Sequence, residues 1–593
     1  MKKIKYIACL LSLAVVSGCD SILDKGPLDS FTNDNFWTGE GNISGYANAF
    51  YEQFLGYGNG NGYGDFYFKT LSDDQAGMSF AKWTYPDNAP STSATWKNGW
   101  IEVRRANIML ENVPTVASLD EATKNHWLGV ARLMRAWQYY HLVRMYGNLP
   151  WIDKALNIND EGEIYGNRED RDMVMDKVLE DLDFAVTNIK DISSKTTWSR
   201  SLANAMKAEV CLYEGTFRKY RKNEDGQQAP DATGAARYLT ACKEACLAVM
   251  SKGYKLNTSY QGNYNSTDLS SNPEMILYKA YKEGLLMHST IDYTCSSTQI
   301  SGMSKNAFES YLFKDGKPMA LTSLNKSDEA PFQYGHLSLK AILAVRDKRL
   351  AQTIDTVLLY NGRGFTRFNT GMESTSSTGY GVAKYDNEAI PEGFRSQSGK
   401  NYTHAPLFWL SVIYLNYAEA CAELGNITQD DLDKSINLLK DRAGLPHLNP
   451  IVGFSDPANN HGVSDLIWEI RRERRCELMF DNDNRYWDLI RWHQLDKLDT
   501  TKYPDIILGA NVANDMDGCE ANKVGKYIDG SKDGSRIYDK KHYLYPIPTG
   551  QIALNPQLAP IIRVGNQPYL VNTEILPVSI VLIAMELGRI LHL

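Results

Sequence analysis

Residues Asp465–Trp492 read DLIWEIRRERRCELMFDNDNRYWDLIRW, with apolar, basic and acidic residues interleaved. Ile467, Ile470 and Leu478 recur at helical spacing, which predicts a core-facing stripe. Arg474 falls on the same stripe. Because a guanidinium keeps its charge, Arg474 needs a carboxylate or carbonyl partner if the stripe is buried. We therefore expect a buried ion pair beneath a packed helix.

The charges of this stretch nearly cancel. Between Glu469 and Glu477 there are four arginines and three glutamates, and the glutamates recur every four residues. Glutamates at this spacing can pair with arginines within one helix or between neighbouring helices. A helix that binds nucleic acid keeps its positive charge unpaired. The pattern therefore favours a structural salt-bridge network over a nucleic-acid-binding surface.

Two motifs in this stretch, RERRxEL at residues 472–478 and RYWDLxRW at residues 485–492, closely resemble the C-terminal signature of the SusD/RagB family. Members of this family are surface lipoproteins that capture nutrients for a TonB-dependent outer-membrane transporter. The resemblance covers roughly Cys19 to Leu558. Further elements that resemble the family are DSFTNDNFW (29–37), LSDD (71–74), DLDxA (181–185), NYAEA (416–420) and YLYPIP (543–548).

The resemblance implies a mostly α-helical fold, with tetratricopeptide-like helical pairs and a large, irregular, loop-rich insertion. Residues 41–558 would form the binding domain, helical over 41–256 and 405–500 and loop-rich over 257–404. Apolar periodicity and capping residues predict the individual helices. The predicted helices are Ile43–Phe54, Thr95–Leu110, Glu121–Tyr146, Met173–Ile189, Ser201–Tyr220, Ala235–Met250, Leu337–Leu350, Pro406–Leu424 and Asp430–Ala443.

Residues 1–18 have the pattern of a lipoprotein signal peptide. Three lysines precede the apolar run Ile7–Val16, which is too short to span a bilayer as a mature helix. Small residues then precede Cys19, as in a lipobox, so Cys19 would become the acylated N-terminus, and several acyl chains anchor a protein stably. Residues 19–40 would be the lipidated tether and entry segment, on the outward face of the outer membrane. An ordinary signal peptide with an incidental cysteine is the alternative.

Composition narrows the function less than the motifs do. The 593-residue chain has a net charge of -8 and 23% charged residues, which favours neither nucleic acid nor an acidic surface as a partner. Its 35 tyrosines and 12 tryptophans suit stacking on sugar rings or peptide side chains, although many will lie in the core. Cys242 and Cys246 lie one helical turn apart with no CxxC pair, and we interpret them as small core residues.

No catalytic, metal or cofactor motif stands out. The sequence has no GxSxG, no HExxH and no phosphate-binding loop. Asp481 and Asp483 resemble the start of a calcium loop, but the sixth position is not glycine and Trp492 stands where the ligating glutamate belongs. Asp73 and Asp74 are neighbours on an extended segment, so they would point to opposite faces and would not flank one glycosidic bond. We expect no enzyme and no cofactor.

A stacking platform is the stronger candidate site. Apolar sugar faces pack on Trp and Tyr rings, while sugar hydroxyls pair with amides and carboxylates. Trp83, Tyr85, Asp87 and Asn88 supply this chemistry in one irregular segment ahead of a predicted helix. In starch-binding relatives the aromatic arc has a similar placement, by region and not by aligned residue. The alternative is that Trp83 simply packs its loop onto the helices.

The resemblance implies capture of oligosaccharides or polysaccharides and their delivery to a SusC-like TonB-dependent transporter. Tyr260, Tyr264 and Tyr293 are secondary ligand-binding candidates, each with a structural role as the alternative. Peptide binding by the same fold is a second function, and acidic or apolar pocket residues would favour it. The third possible function is that of a glycoside hydrolase, which would need two carboxylates facing one cleft.

The end of the chain departs from the family pattern. Relatives commonly stop soon after an Asn-Pro pair, on a segment ending Asn-Pro-Gly-Trp, whereas this chain runs on through Ala559–Leu593. Residues 559–566 can be encoded GCA CCC ATA ATC CGG GTT GGT AAC, and dropping two bases gives Thr-His-Asn-Pro-Gly-Trp-stop. We therefore expect a frameshifted, aberrant tail. A membrane segment is the alternative, but Glu586, Arg589 and His592 interrupt the apolar run.

Overall fold

Helices carry the architecture of this computed structural model, which describes residues 36–77, 89–223, 227–295, 301–324, 339–356, 376–481, 483–512, 523–531 and 534–558, with the backbone of 563–564 and 567–568. Long helices lie on both sides of a middle segment that holds short helical turns and strands. The prediction of a mostly α-helical protein with a loop-rich insertion is therefore confirmed.

The elements are numbered here in chain order. The helices are α1 Glu40–Asn48, α2 Ala94–Asn112, α3 Glu121–Tyr146, α4 Glu161–Ile164, α5 Arg171–Asn188, α6 Arg200–Tyr220, α7 Ala232–Met250, α8 Thr290–Cys295, α9 Lys305–Ser310, α10 Lys340–Leu343, α11 Leu350–Thr353, α12 Glu392–Arg395, α13 Leu410–Glu423, α14 Gln429–Asp433, α15 Ile436–Ala443, α16 Asp465–Glu477, α17 Asn484–Arg491 and α18 Thr549–Leu554. The strands are β1 Gln75–Gly77, β2 Met275–Lys279, β3 Ser301–Met303, β4 Ala405–Trp409, β5 Leu508–Asn511, β6 Lys523–Val524, β7 Tyr527–Asp529, β8 Arg563–Val564 and β9 Gln567–Pro568.

The long helices form one continuous row. Helix α3 packs between α2 and α5, and α6 packs between α5 and α7. The row continues as α7 packs on α13 and α13 packs on α16. Each helix therefore buries one face against its predecessor and another against its successor, as in stacked helical pairs. All the small sheets are antiparallel, and the order within the three-stranded one is β5-β7-β6.

Local sequence signals set the bounds of the longest helix, α3. The side chain of Asp120 accepts a hydrogen bond from the backbone N–H of Thr123 at 2.7 Å, which caps the N-terminus. Gly147 ends the helix with a φ of 74°, a left-handed conformation that favours glycine. At Gly129 a Cβ atom would lie 2.9 Å from Ile189 Cγ1, so the missing side chain permits the close approach of α3 and α5.

Three of the predicted helices are wrong in part. Residues 405–409 form strand β4, which pairs with β2, so the helix begins only at Leu410. The segment predicted as a helix over residues 337–350 holds only the short turns α10 and the start of α11 in its described part. The helix predicted over residues 430–443 is broken into α14 and α15. A short apolar run fits a buried strand as well as a helix, and tertiary pairing decides between them.

Arg474 is buried on α16, as its place on the apolar stripe predicts. Its Nε lies 2.8 Å from Asp488 Oδ2, and its Nη1 donates to Asn416 Oδ1 at 2.8 Å. Asp488 belongs to α17 and Asn416 to α13, so one guanidinium joins three helices. The partner is therefore a carboxylate on another helix, and not one of the three glutamates on α16.

Glu473 and Glu477 pair with cations from other elements. Glu477 Oε2 lies 2.8 Å from Arg349 Nη1, and Glu477 also pairs with Arg442. Glu473 pairs with the same Arg349 and with Lys440 at 3.3 Å. All five side chains are less than a tenth exposed. The network predicted from the charge pattern is confirmed, and it extends well beyond α16.

Cys242 and Cys246 are fully buried and form no disulfide, which confirms them as core residues.

Within the described ranges, no helix combines the length and the apolar character that crossing a membrane requires. The predicted aberrant tail, residues 559–593, lies outside the described residues, apart from the paired backbone of β8 and β9. The leader and Cys19 also lie outside them.

We expect Arg474→Ala to lower the free energy of unfolding by up to about 3–5 kcal/mol, because it removes one cation of a buried pair, leaves Asp488 with Arg491 alone and leaves Asn416 Oδ1 without its donor. Urea denaturation measures this difference. Arg237→Ala is the matched control, since Arg237 pairs with Asp176 on the surface and its side chain is 49% exposed. That variant should lose about 0–1 kcal/mol. Equal losses in the two variants would show that burial adds nothing to the Arg474 pair.

Candidate functional site

Three aromatic rings form a cluster that reaches the surface. The rings of Tyr63 and Phe68 stack with centroids 4.5 Å apart and planes 16° apart. The ring of Tyr293 stands edge-on to both, with centroid distances of 5.7 Å. Tyr63 is 60% exposed, so one ring face is open to solvent. We call these three residues the aromatic cluster.

A glycine-rich loop places Tyr63 in this cluster. Between Gly56 and Gly64 the chain folds back on itself so closely that a Cβ atom on Gly64 would lie 2.2 Å from the Gly56 carbonyl oxygen. Gly58 has a φ of 90°, which other residues rarely adopt. The hydroxyl of Tyr281 donates to the Gly58 carbonyl at 2.8 Å and pins the loop to the core. The loop is therefore a defined support for its exposed tyrosine.

Tyr67 ties Phe68 to the sheet formed by β1 and β3. Its hydroxyl donates to the Ser301 carbonyl and accepts from the Ser301 N–H, both at 2.8 Å. Ser301 also pairs with Gly77, the last residue of β1. The chain runs from Gly77 into residues 78–88, which contain the predicted Trp83, Tyr85, Asp87 and Asn88. Those four residues lie outside the described residues.

Helix α8 carries Tyr293 and is held at its N-terminus. Asn401 Oδ1 accepts from the backbone N–H of Ile291 at 2.9 Å, and the backbones of Asn401 and His288 form a bridge. His288 Nδ1 accepts from the Thr290 N–H at 3.1 Å, and its Nε2–H donates to the carbonyl of Thr403 at 3.0 Å. The imidazole is therefore held neutral, with one ring nitrogen accepting and the other donating.

The structure corrects two of the secondary candidates. Tyr260 and Tyr264 are fully buried, so neither ring is available to stack on a ligand. The Tyr260 hydroxyl donates to the Glu477 carbonyl at 3.0 Å, and the Tyr264 hydroxyl donates to Asp481 Oδ2 at 2.8 Å. A loop-rich segment is not necessarily exposed. These two tyrosines anchor the loop-rich segment that contains them to the end of α16 and the residues just after it. Tyr293 remains a candidate, because it belongs to the aromatic cluster.

Sequence reasoning missed Tyr63 and Phe68. Both lie in or beside the glycine-rich segment 56–64, which is a loop in the structure. The available signal was an aromatic residue inside a glycine-rich loop, where it has little core to pack against. Loop aromatics of this kind deserve the same weight as Trp83 in a search for stacking residues.

A second feature is an open cavity of about 880 Å³ between α9, α16 and the segment after α17. Asp73 lies in its wall and accepts from Arg485 Nε and Nη2, both at 2.7 Å. Asp74 accepts from Arg475 Nε at 2.8 Å, and Arg475 also lies 3.3 Å from Asp73. The two carboxylates therefore converge on one guanidinium, contrary to the opposite faces expected of an extended segment.

The electrostatics of this acid pair oppose a glycosidase role. Burial acts to raise the pKa of Asp73, but Arg475 and Arg485 outweigh it and hold the pKa below its ordinary value. Burial raises the pKa of the neighbouring Asp74, against the attraction of Arg475. Both carboxylates are hydrogen-bonded to guanidinium groups, so neither is free to act as a nucleophile or to protonate a leaving group. Within the described ranges, no group of three or more His, Cys, Asp or Glu side chains could hold a metal ion.

Comparison with known proteins agrees with this architecture. The helical row, the aromatic cluster and the cavity define a large helical-pair protein with two ligand-sized surfaces. A family described as "SusD family" matches residues 248–561, and another described as "Starch-binding associating with outer membrane" matches residues 32–212. The first match spans more than half of the chain, so the chain belongs to the SusD family.

Relatives in this family share the fold over most of their length. SusD-like protein P38 of Formosa agariphila is 25% identical to this chain, over 83% of this chain and 92% of its own length. A SusD-like carbohydrate-binding protein from Bacteroides fragilis superposes with a TM-score of 0.65 at 19% identity, covering 88% of this chain and all of its own. A laminarin-binding SusD-like protein superposes with a TM-score of 0.52 at 19% identity, covering 87% and 98%.

The support beneath Tyr293 should weaken in acid. Burial lowers the pKa of His288 to about 3, whereas a histidine in an unfolded chain has a pKa of about 6.5. The unfolded state therefore binds the proton more readily, so the stability due to neutral His288 is complete above pH ~6.5 and is lost as the pH falls toward ~3. We expect His288→Gln to reduce the slope of unfolding free energy against pH by up to ~1.4 kcal/mol per pH unit.

Urea denaturation at several pH values between 7 and 4.5 gives these slopes. His447→Gln, at an exposed histidine, is the matched control for the substitution itself. A parent-like slope in His288→Gln would mean that the buried imidazole takes up its proton in the folded state.

Proposed function

We propose that this protein captures glycans on the aromatic cluster and the neighbouring segment that contains Trp83 and Tyr85. The observation that carries the proposal is the open face of Tyr63, backed by the stacked ring of Phe68. Pyranose rings have an apolar face that packs on aromatic rings, and a ring held in place loses little freedom on binding. Membership of the SusD family supports the same class of ligand.

Capture requires no chemistry on the ligand. Tyr63 and Tyr293 would hold the apolar face of a sugar, while Asp87 and Asn88 would supply acceptors and donors for its hydroxyls. Similar proteins are described as carbohydrate-binding or laminarin-binding, and we extend that class of ligand to this chain. The bound glycan would then pass to a SusC-like TonB-dependent transporter in the outer membrane.

The N-terminal segment fits the same role. The run that ends in Cys19 would place an acylated cysteine ahead of a short tether, so the binding domain would lie at the outer face of the outer membrane. The match to a family described as associating with the outer membrane supports this location. A tethered binding domain raises the local concentration of glycan beside the transporter.

We expect Tyr63→Ala, Tyr293→Ala and Trp83→Ala each to weaken glycan binding by about 1–3 kcal/mol, the range found for stacking and aromatic contacts at interfaces. Calorimetry with a panel of neutral oligosaccharides, on a soluble chain that starts after Cys19, measures the affinities. Tyr165→Ala is the matched control, since Tyr165 is 48% exposed but makes no contact with the cluster.

Thermal unfolding of each variant separates lost contacts from lost stability. If both the Tyr63→Ala and the Tyr293→Ala variant fold and bind glycan with the affinity of the parent chain, the glycan binds elsewhere. Binding of acidic or apolar peptides in place of any glycan would assign this chain to peptide capture.

We expect Cys19→Ala to release the protein from the membrane or to leave its leader uncleaved, because the acylated residue is lost. Fractionation of cells and mass spectrometry of the N-terminus measure both outcomes. Cys9→Ala, in the leader itself, is the control and should remain anchored. Retention of Cys19→Ala in the membrane fraction without any acyl chain would contradict a lipid anchor at this position.

A further inference from the structure

The cavity of about 880 Å³ shares no lining residue with the aromatic cluster and has a different chemistry. Its wall combines aromatic rings, amides and an excess of cationic side chains. The seven cationic side chains in the wall are Lys305, Arg471, Arg472, Arg475, Arg485, Lys497 and Lys526, and the four acidic ones are Asp73, Glu309, Asp456 and Asp505. A concave wall with this excess attracts anions.

The acidic groups of the wall already have partners. Asp73 binds Arg485, and Asp456 binds Arg472. Glu309 pairs with Lys305 at 2.5 Å, in the wall itself. Asp505 Oδ2 accepts from Asn306 Nδ2 at 2.6 Å. Three of the four acids are therefore paired with a cation of the wall, the fourth is hydrogen-bonded to an amide, and other cations of the wall are left without a carboxylate.

Lys497 is one of the cations left in this way, and it lies between two aromatic rings of the wall. Its ammonium lies 4.8 Å from the centroid of the Trp468 ring and 5.7 Å from that of Tyr503. Among the described residues, no carboxylate lies within 4 Å of it and no acceptor takes a hydrogen bond from it. An ammonium has three N–H donors, and two ring faces do not satisfy them.

Two further side chains of the wall have unused donors. Arg471 is 3% exposed, and its Nη2 donates to Glu423 at 3.0 Å, while no acceptor among the described residues takes a hydrogen bond from its buried Nε and Nη1. The side-chain amide of Gln494 also makes no hydrogen bond with any described residue. Unused donors in a buried wall are costly, so their presence beside a cavity indicates a ligand that supplies acceptors.

We propose that this cavity binds an anionic saccharide unit, one that carries a carboxylate or a sulfate ester. The ammonium of Lys497 would receive the anionic group, Trp468 and Tyr503 would flank the sugar ring, and Gln494 would bind a hydroxyl. A cavity of this size suits a small ligand of this kind. The proposal rests on the glycan-binding function and adds to it a charged class of substrate and a second site.

The charge state of Lys497 fits this role. Burial, together with the like charges of Arg485 and Arg475, lowers the pKa of Lys497 to about 8, against the opposing attraction of Asp73 and Asp496. At pH 7 the side chain is still mainly ammonium. Above pH ~8 the free protein holds the neutral amine, so binding of an anion should weaken as the pH rises through that value.

The test compares three tetrasaccharides by calorimetry at pH 7 and low salt: a galacturonate for the carboxylate, a sulfated galactan for the ester, and an uncharged galactan. The anionic probes should bind the parent chain more tightly than the neutral one. Lys497→Gln should weaken their binding about tenfold or more, as expected for one charged hydrogen bond, and Lys497→Arg should retain most of it. Lys502→Gln removes the same charge from an exposed neighbour outside the cavity and should change nothing.

A measurement on the parent chain covers the case in which a Lys497 variant fails to fold. Acetylation of lysines by acetic anhydride, read by mass spectrometry, should slow at Lys497 when either anionic probe is bound and stay constant at Lys502. Protection by one probe and not the other identifies the carboxylate or the sulfate as the group recognised.

Three results would overturn the proposal: equal affinity for charged and neutral probes, parent-like anion binding in folded Lys497→Gln, or protection of Lys497 by a hexaglutamate peptide and by no saccharide. These results differ from failure of the aromatic cluster, which shows in Tyr63→Ala and Tyr293→Ala with neutral glycans. Neutral glycans that bind at the cluster, with no preference for anions at Lys497, would remove the second site and keep the proposed function.

Discussion

Buried pairs of guanidinium and carboxylate groups around α16 connect the long helices to the irregular segment between them. Glu477 of α16 joins Arg442 of α15 to Arg349, which belongs to the loop-rich middle segment. Burying charged groups costs more desolvation free energy than pairing them at the surface. Removing one partner of a buried pair leaves the other unpaired in a low-dielectric interior. The network therefore fixes the position at which the irregular segment meets the helices. Apolar packing alone specifies this position poorly, because many registers of the segment would bury a similar apolar area.

The same pairing explains the sequence motifs. Asn416 and Glu419 of the NYAEA element bind Arg474 of RERRxEL and Arg491 of RYWDLxRW, the latter with Arg491 Nη2 at 2.8 Å from Glu419 Oε2. Elements that are more than fifty residues apart are thus two halves of one ionic contact. The motifs could be recognised from the sequence as a set, and their polar residues are restricted because each buried guanidinium needs acceptors at hydrogen-bond distance.

The fold was more predictable than the site, for physical reasons. Helix α3 has both a capping Asp120 and a terminating Gly147, so its bounds follow from local signals. The structure of segment 405–409 does not follow from local signals. Its apolar run becomes a strand only because it pairs with β2, which lies far away in the chain. Tyr260 and Tyr293 both looked like loop residues, yet one is buried against Glu477 and the other belongs to a surface cluster. Exposure in an irregular segment depends on tertiary contacts that periodicity does not encode.

The aromatic cluster and the cavity are joined by one short segment, the LSDD element and the strand after it. Asp73 binds Arg485 in the cavity wall, while Gln75 Nε2 donates to the Tyr67 carbonyl at 2.6 Å and Gln75 Oε1 accepts from the Ser301 hydroxyl at 2.8 Å. Tyr67 in turn positions Phe68 of the aromatic cluster. Two residues along the chain therefore separate a contact of the cavity from a contact of the cluster. The hydroxyl and the N–H of Ser304 donate to the carbonyls of Asp73 and Asp74, so buried hydrogen bonds hold in place the backbone that supports both the cavity wall and the cluster.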